Sequence, residues 1–452
     1  MTKHSPFPSL RMRVALLCYT VLWVVLFPLI LFYLWWRGRK DPAYRAHIPE
    51  RFGFYPKVKK NSVWIHAVSL GEMRSAAPLV QELLDRGETI VTTHFTPAGR
   101  KSAHNLFPDA IGAGKLVPVY VPFEFHWCYR RFFNAFAPKY GLVMEIEIWP
   151  RMIASTARCR VPLFMCNAQY PERSFNRDRD KTSLRGELTR GFAGLFVKSQ
   201  SQVDRFEHMG ASNIAITGEL RFEQPIGEHL LSAARAINFS PRPVITLASV
   251  VENEDESYLH VIKTVQRHAD AINAPRPLFI YVPRAPERFA STGDWLTTQG
   301  QTVQRRGQVL SPDLETTTPI NSDILLGDSM GEMYFYLELA NAVIVGGGFH
   351  PKGAHNVIEP LALKKPVYVG PEIWTIEYPA HDAIAAGVLA HCTDTDDMAA
   401  RLINQIYSNT GNAQFSALAE QFNIDHSGAT QRTLAALPEL LKNAGYTDRN
   451  PL

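Results

Sequence analysis

The 452-residue chain has five cysteines (Cys18, Cys128, Cys159, Cys166 and Cys392), an odd number, and no Cys-x-x-Cys pair. That composition excludes a disulfide framework and a zinc spacing, and it predicts separate buried thiols in a reducing compartment. A strong net charge is also missing, since 47 Lys and Arg stand against 43 Asp and Glu. With 46% hydrophobic and 20% charged residues, the chain is neither disordered nor fibrous. No fixed-period repeat is present, and the length suits two to three domains of roughly 150 residues. The basic charge is not patterned over a folded face, which argues against a nucleic-acid binder. It is concentrated instead: residues 1–60 hold eleven Lys and Arg against Asp41 and Glu50, so the rest of the chain is net acidic.

Residues 14–36 contain no charge at all. As a helix, these 23 residues span about 34 Å at 1.5 Å each, enough to cross a hydrocarbon core. Pro28 is tolerated in a membrane helix, and Tyr33, Trp35 and Trp36 precede Arg37 as an interfacial belt does. Leu-Trp-Trp-Arg is no signal-peptide cleavage site. Eight basic residues follow the stretch by residue 60 and three precede it, which places the bulk of the chain in the cytoplasm. A single spanning anchor is expected, and insertion into one leaflet is compatible with the same residues.

Beyond the anchor, short buried strands alternate with helical stretches. The first series of strands is read at 62–67, 89–93, 116–121, 140–145, 161–166 and 194–197. A second series, after Pro241-Arg-Pro243, is read at 244–247, 278–282, 324–326, 343–346 and 367–369. This alternation predicts two doubly wound parallel sheets with ligands at the strand C-terminal ends. The expected division is an anchor with a basic collar over 1–45, a first Rossmann-like domain over 46–225 and a second over 226–447. The tail from Thr447 is polar.

Three segments could carry chemistry. His66-Ala-Val-Ser-Leu-Gly-Glu72 places a carboxylate after a strand, at a glycine turn opening a helix. Glu72 there is either a general base tuned by partial burial or a carboxylate stabilised by the helix dipole. In Met144-Glu-Ile-Glu-Ile-Trp-Pro150, Glu145 and Glu147 alternate with apolar residues, which puts both on one strand face. They would bind a polyol or stabilise a cationic transition state, or else pair with Arg173 or Arg151. In residues 343–359 a buried strand runs into three glycines and a helix at about Asn356, where a phosphate could sit and Glu359 could meet a ribose. Segments 328–332 and 283–288 are further strand-exit loops. No Asp-x-Asp pair of the metal-chelating type is read at a strand end, and His350 and His355 are read as loop residues.

Together these segments resemble the lipid A Kdo transferases, the 3-deoxy-D-manno-octulosonic acid transferases. The likeness runs from Trp36-Arg-Gly-Arg-Lys40 and Glu50-Arg-Phe-Gly-Phe-Tyr-Pro56 through the Glu72 and Glu145 segments to Asn167-Ala-Gln-Tyr-Pro-Glu-Arg-Ser174. It continues in Thr217-Gly-Glu-Leu-Arg-Phe-Glu223, Pro283-Arg284, Gly327-Asp-Ser-Met-Gly-Glu332 and Gly353-Ala-His-Asn-Val-Ile-Glu-Pro360. The resemblance implies a GT-B glycosyltransferase, an α/β fold of two facing Rossmann-like domains. It implies metal-independent, inverting transfer of Kdo from CMP-Kdo to a lipid A precursor at the inner membrane's cytoplasmic face, with no cofactor. By position, Glu72 matches the family's base, and Glu145 and Arg221 match residues that stabilise the transition state. Pro283, Arg284, Met330, Gly331, Glu332, Asn356, Val357, Ile358 and Glu359 match CMP-contacting segments. The chain departs from the family pattern at Val250-Val251, where Thr-His is usual, at Ala285 for a His, at Gln169 for an Arg and at Arg221 for a Lys. A diverged relative moving a Kdo-like ulosonic acid to another glycolipid is the alternative.

Overall fold

The computed structural model describes residues 7–56, 59–179, 183–408 and 412–446; the polar tail from Thr447 lies outside them. The chain forms two compact units, one of residues up to Pro225 together with those from Ser427, the other Ile226–His426. The closing helix Ala429–Asn443 therefore belongs to the first unit, where a linear boundary at 447 had put it in the second. Its Leu434, Leu437 and Leu441 join the core under the helix Leu70–Asp85, and Asn213 ties it down through the Leu440 carbonyl at 2.8 Å.

The first unit is built on seven parallel strands: β1 (Val63–His66), β2 (Ile90–His94), β3 (Leu116–Tyr120), β4 (Tyr140–Met144), β5 (Leu163–Ala168), β6 (Gly194–Val197) and β7 (Ile214–Ile216). Their order is β3-β2-β1-β4-β5-β6-β7, so the chain reverses its direction of travel between β1 and β4. Such a reversal opens a crevice beyond the strand C-termini. The four central β1 residues are all buried, as a strand covered on both faces must be.

The second unit repeats the plan with β8 (Val244–Val250), β9 (Leu278–Pro283), β10 (Val303–Arg305), β11 (Ile324–Leu326), β12 (Ala342–Val345), β13 (Val367–Val369) and β14 (Leu389–His391). The order β10-β11-β9-β8-β12-β13-β14 puts its reversal between β8 and β12. Leu247, Val250, Tyr281 and Ile344 fill one side of this sheet with Tyr258 and Ile262 of the helix Asp255–Ala271. Each unit is a doubly wound α/β fold.

Eleven strands coincide with runs read from the sequence; β7, β10 and β14 do not. All three are sheet edges of three residues with part of their side chains in solvent, so they carry no buried apolar run. The β14 edge also corrects the reading of acidic pairs, because Asp394-Thr395-Asp396 follows it. Asp394 is spent on capping the next helix through the Asp397 N–H at 2.8 Å, and Asp396 pairs with His260 at 2.6 Å.

Candidate active site

In the first unit the chemistry-bearing residues gather at the C-terminal edge of the sheet, around the β1/β4 reversal. Ser69 caps the helix Leu70–Asp85, accepting the Glu72 N–H at 3.3 Å. Gly71 lies inside this helix, so the expected glycine turn is instead a Ser-capped start. The Glu72 carboxylate turns back, with Oε2 accepting the Val68 N–H at 2.7 Å and Oε1 bonded to the Ser69 hydroxyl at 3.2 Å. Ser69-Leu-Gly-Glu72 has the sequence of a capping box, but the carboxylate returns to the N–H of Val68, one residue before the cap, and is thereby fixed over the end of β1. Burial, and then the nearby charge of Glu147, push Glu72 up to about 7. The helix-end donors oppose that rise without cancelling it. Glu72 is therefore poised to exchange a proton near neutrality.

Glu145 and Glu147 do not share a strand face. β4 ends at Met144, Glu145 takes a left-handed conformation at φ 58°, and the two side chains separate at the turn. Glu147 accepts the Trp149 indole N–H at 2.6 Å, and burial raises its carboxyl. Glu145 enters a charged cluster: Arg221 reaches Oε1 at 2.9 Å, Lys198 reaches Oε2 at 3.1 Å, and the Asn167 amide adds a bond at 3.1 Å. Its partners thus include Arg221 and Lys198, while Arg151 is engaged by Thr20 and the Leu16 carbonyl.

Lys198, at the exit of β6 and only 2% exposed, also pairs with Glu219 at 2.7 Å. Burial alone would raise the Glu219 carboxyl, but the charges of Lys198 and Arg221 outweigh it and hold it below the usual range. Asn167 joins the two acids, donating to Glu219 Oε1 at 2.7 Å while its oxygen accepts the Leu220 N–H at 3.0 Å. A register shift in the β5–β6 pairing and a φ of 56° aim Asn167 at this task. Two adjacent non-glycine residues of one network held left-handed is a strain expected at a functional site. Lys198 and the bridging role of Asn167 escaped the sequence reading, since a lysine after a short strand carries no motif.

In the second unit the glycines serve the fold first. A Cβ on Gly346 would lie 2.3 Å from the Ser249 carbonyl, one on Gly348 2.4 Å from the Gly370 nitrogen, and Gly347 has φ +89°. The loop's amides are held by Glu254, fully buried, which accepts Gly347 N–H at 2.7 Å, Phe349 N–H at 2.9 Å and Val251 N–H at 3.2 Å. Sequence reasoning missed Glu254, a plain helix-start acid whose partners are about 95 positions away. Exchanging it for Gln turns an acceptor into a donor facing N–H groups. Glu254→Gln is expected to lower the unfolding free energy of the full chain by about 3 kcal/mol in a denaturant titration.

Pro283 ends β9, and Arg284 is exposed after it, its guanidinium without a hydrogen bond or ion pair among the described residues. Burial and then the Arg284 charge lower His355 to about 4. Met330 and Gly331 are exposed, whereas the Glu332 carboxylate is clamped by Arg306 at 2.8 and 2.9 Å and by Ser329 at 2.5 Å. Asn356 Oδ1 takes the Ile358 N–H at 3.0 Å, Val357 and Ile358 are buried, and Glu359 lies in the first turn of Ile358–Ala362. The loops after β9 and β11 therefore offer a cation at Arg284 and exposed backbone at 330–331, whereas the amides of the glycine loop are held by Glu254.

Residues 46–224 match the family model described as 3-deoxy-D-manno-octulosonic-acid transferase (kdotransferase). The chain is 37% identical over 432 residues to a 3-deoxy-D-manno-octulosonic acid transferase of Bordetella pertussis, covering 94% of this chain and 99% of that one. It is 30% identical over 451 residues to the protein of that description from Haemophilus influenzae, covering 96% and 99%. A glycosyltransferase structure from Rickettsia africae superposes with a TM-score of 0.55 at 12% identity, covering 85% of this chain and 100% of that one. That last likeness concerns the fold.

Proposed function

This chain belongs to the 3-deoxy-D-manno-octulosonic acid transferase family and is a Kdo-transferring glycosyltransferase of GT-B fold, and from that premise we propose that it moves Kdo from CMP-Kdo to a lipid A precursor (lipid IVA) in lipopolysaccharide core biosynthesis, at the cytoplasmic face of the inner membrane. The observation that carries this reading is the Glu72 carboxyl, raised to about 7 and fixed over the β1/β4 reversal beside the Glu145–Arg221 pair.

The acceptor hydroxyl attacks the anomeric carbon while Glu72 Oε takes its proton. The bond from that carbon to the CMP phosphate oxygen breaks in the same displacement, so configuration inverts. Positive charge grows on the sugar, and Glu145 is the carboxylate offered to it, with Arg221 and Lys198 fixing its orientation. The departing phosphate is a monoester dianion. Arg284, exposed and unspent on other side chains among the described residues, is the cation proposed to hold it, without a metal or cofactor. Pro283, Met330 and Gly331 shape the nucleotide subsite, and Asn356, Val357, Ile358, Glu359 and the clamped Glu332 support it from behind. The acceptor stays in the bilayer, which the apolar helix Leu10–Arg37 keeps within reach.

The test is product mass. Detergent-solubilised protein given CMP-Kdo and a tetra-acylated lipid A precursor is expected to add one or more Kdo residues. A folded protein that leaves the precursor unchanged while transferring to a different glycolipid would replace this acceptor assignment.

A further inference from the structure

The helix Leu10–Arg37 lies lengthwise on the first unit. At its start the Ser9 N–H bonds Glu187 at 3.0 Å, and at its end Arg45 holds the Trp35 carbonyl at 2.7 Å. Between them, Arg151 bonds the Leu16 carbonyl at 2.8 Å and the Tyr19 hydroxyl meets Glu124 at 3.3 Å. Trp23 then packs on Phe125 at 5.8 Å, Phe27 on Phe123 at 5.1 Å, and Leu34 is buried beside Cys128. Residues 12, 16, 19, 23, 27, 30 and 34 recur at helical spacing, so this is one continuous face. From residue 9 to 34 the contact runs for about 38 Å, the full thickness of a bilayer core.

The opposite face is apolar and open. Val14, Leu17, Val21, Val25, Phe32 and Trp36 are each at least half exposed. Were this helix to cross the bilayer, the first unit would have to follow it through the hydrocarbon, taking the Arg151 guanidinium and the Glu124 carboxyl with it. Charged groups at that depth are strongly disfavoured.

Both helix ends are cationic. At the start, Arg13, Arg151 and Arg158 line a cavity of about 460 Å³ that also takes in Phe7, Leu16 and His126, and no carboxylate lines it among the described residues. At the finish, Arg37, Arg39 and Lys40 are exposed around the Trp35–Trp36 pair. Cations at both ends of one outward apolar stripe match a surface of anionic headgroups over acyl chains.

We infer that this helix does not span the membrane but lies in the plane of one leaflet, its outer face in the acyl region of an anionic bilayer and both its ends on the side of the catalytic units. The inference goes beyond the proposed reaction and depends on it only for the membrane as the place of work.

The experiment is protease access to the full chain in membranes. A specific cleavage site is placed ahead of residue 1 in one variant and after residue 452 in another. Spheroplasts and inverted inner-membrane vesicles are then treated, with detergent-opened samples reporting full cleavage. Both sites are expected to be cut in the inverted vesicles and spared in the spheroplasts, with well over tenfold contrast. The leading site cut in spheroplasts and the trailing site in inverted vesicles would overturn the inference, as would recovery of the protein in the soluble fraction.

Discussion

Glu72→Gln is expected to lower the rate of Kdo transfer by about a hundred- to ten-thousand-fold, the range for loss of a positioned base, while the first unit stays folded. The amide oxygen can still accept the Val68 N–H, so the helix start keeps its tie to residue 68. Stability should move the other way. A carboxyl raised from 4.5 to about 7 by burial favours the folded state at low pH, and this contribution disappears as pH climbs through 7. The glutamine has no proton to lose, so the variant should melt higher than the parent above neutrality and with little difference well below it. Activity lost and stability gained at one residue is the mark of a group held against its preference for function. Paired measurements of turnover and melting temperature at two pH values check both halves. An inactive variant that also melts lower at every pH would assign Glu72 to the cap alone.

Lys198→Met should have the largest effect on stability. The ammonium is 2% exposed and lies between Glu219, 1% exposed, and the partly open Glu145. Removing it leaves a buried carboxylate facing a second one, with Arg221 Nε 4.0 Å from Glu219 Oε1. Breaking one partner out of a buried ion pair costs about 3–5 kcal/mol, which in a unit of this size is roughly a 6–20 °C fall in melting temperature. The sign with pH is specific. In the parent, Glu219 is held below the usual range, so its contribution is present above that range and lost as pH falls through its lowered value. Without Lys198, burial dominates and Glu219 takes up a proton more readily. The deficit of the variant should therefore shrink as pH falls. A melting difference independent of pH would mean that packing of the lysine stem outweighs its charge.

The sequence made the buried parts of this molecule legible because burial leaves a pattern. Val63 to His66 and Val343 to Val345 are unbroken runs shielded on both faces, and such runs need only composition to be seen. Edge strands such as Ile214–Ile216 face water, and nothing in three residues distinguishes them from loop. Glu145 and Glu147 show the limit of periodicity. Alternation predicts a shared face only while the strand continues, and a left-handed residue at position 145 ends it. Lys198 and Glu254 illustrate a different limit. Each acts through partners brought near by the sheet crossovers, Lys198 through Glu145 and Glu219 and Glu254 through Gly347 and Phe349. What points to them is burial of a charge, which a sequence does not display. The glycines before His350 were visible as a motif, yet their first role is close backbone packing against Ser249 and Gly370.

On the proposed reaction, transfer runs on a carboxyl whose proton affinity the fold has raised to neutrality. Its most direct test is the pH dependence of kcat/KM for Kdo transfer in the parent and in Glu147→Gln. Burial and the Glu147 charge are the two leading influences that raise Glu72, so an acid limb near pH 7 is expected in the parent. That limb should shift to lower pH when the Glu147 charge is removed. A limb that stays in place in Glu147→Gln, or a profile flat through neutrality in the parent, would contradict it.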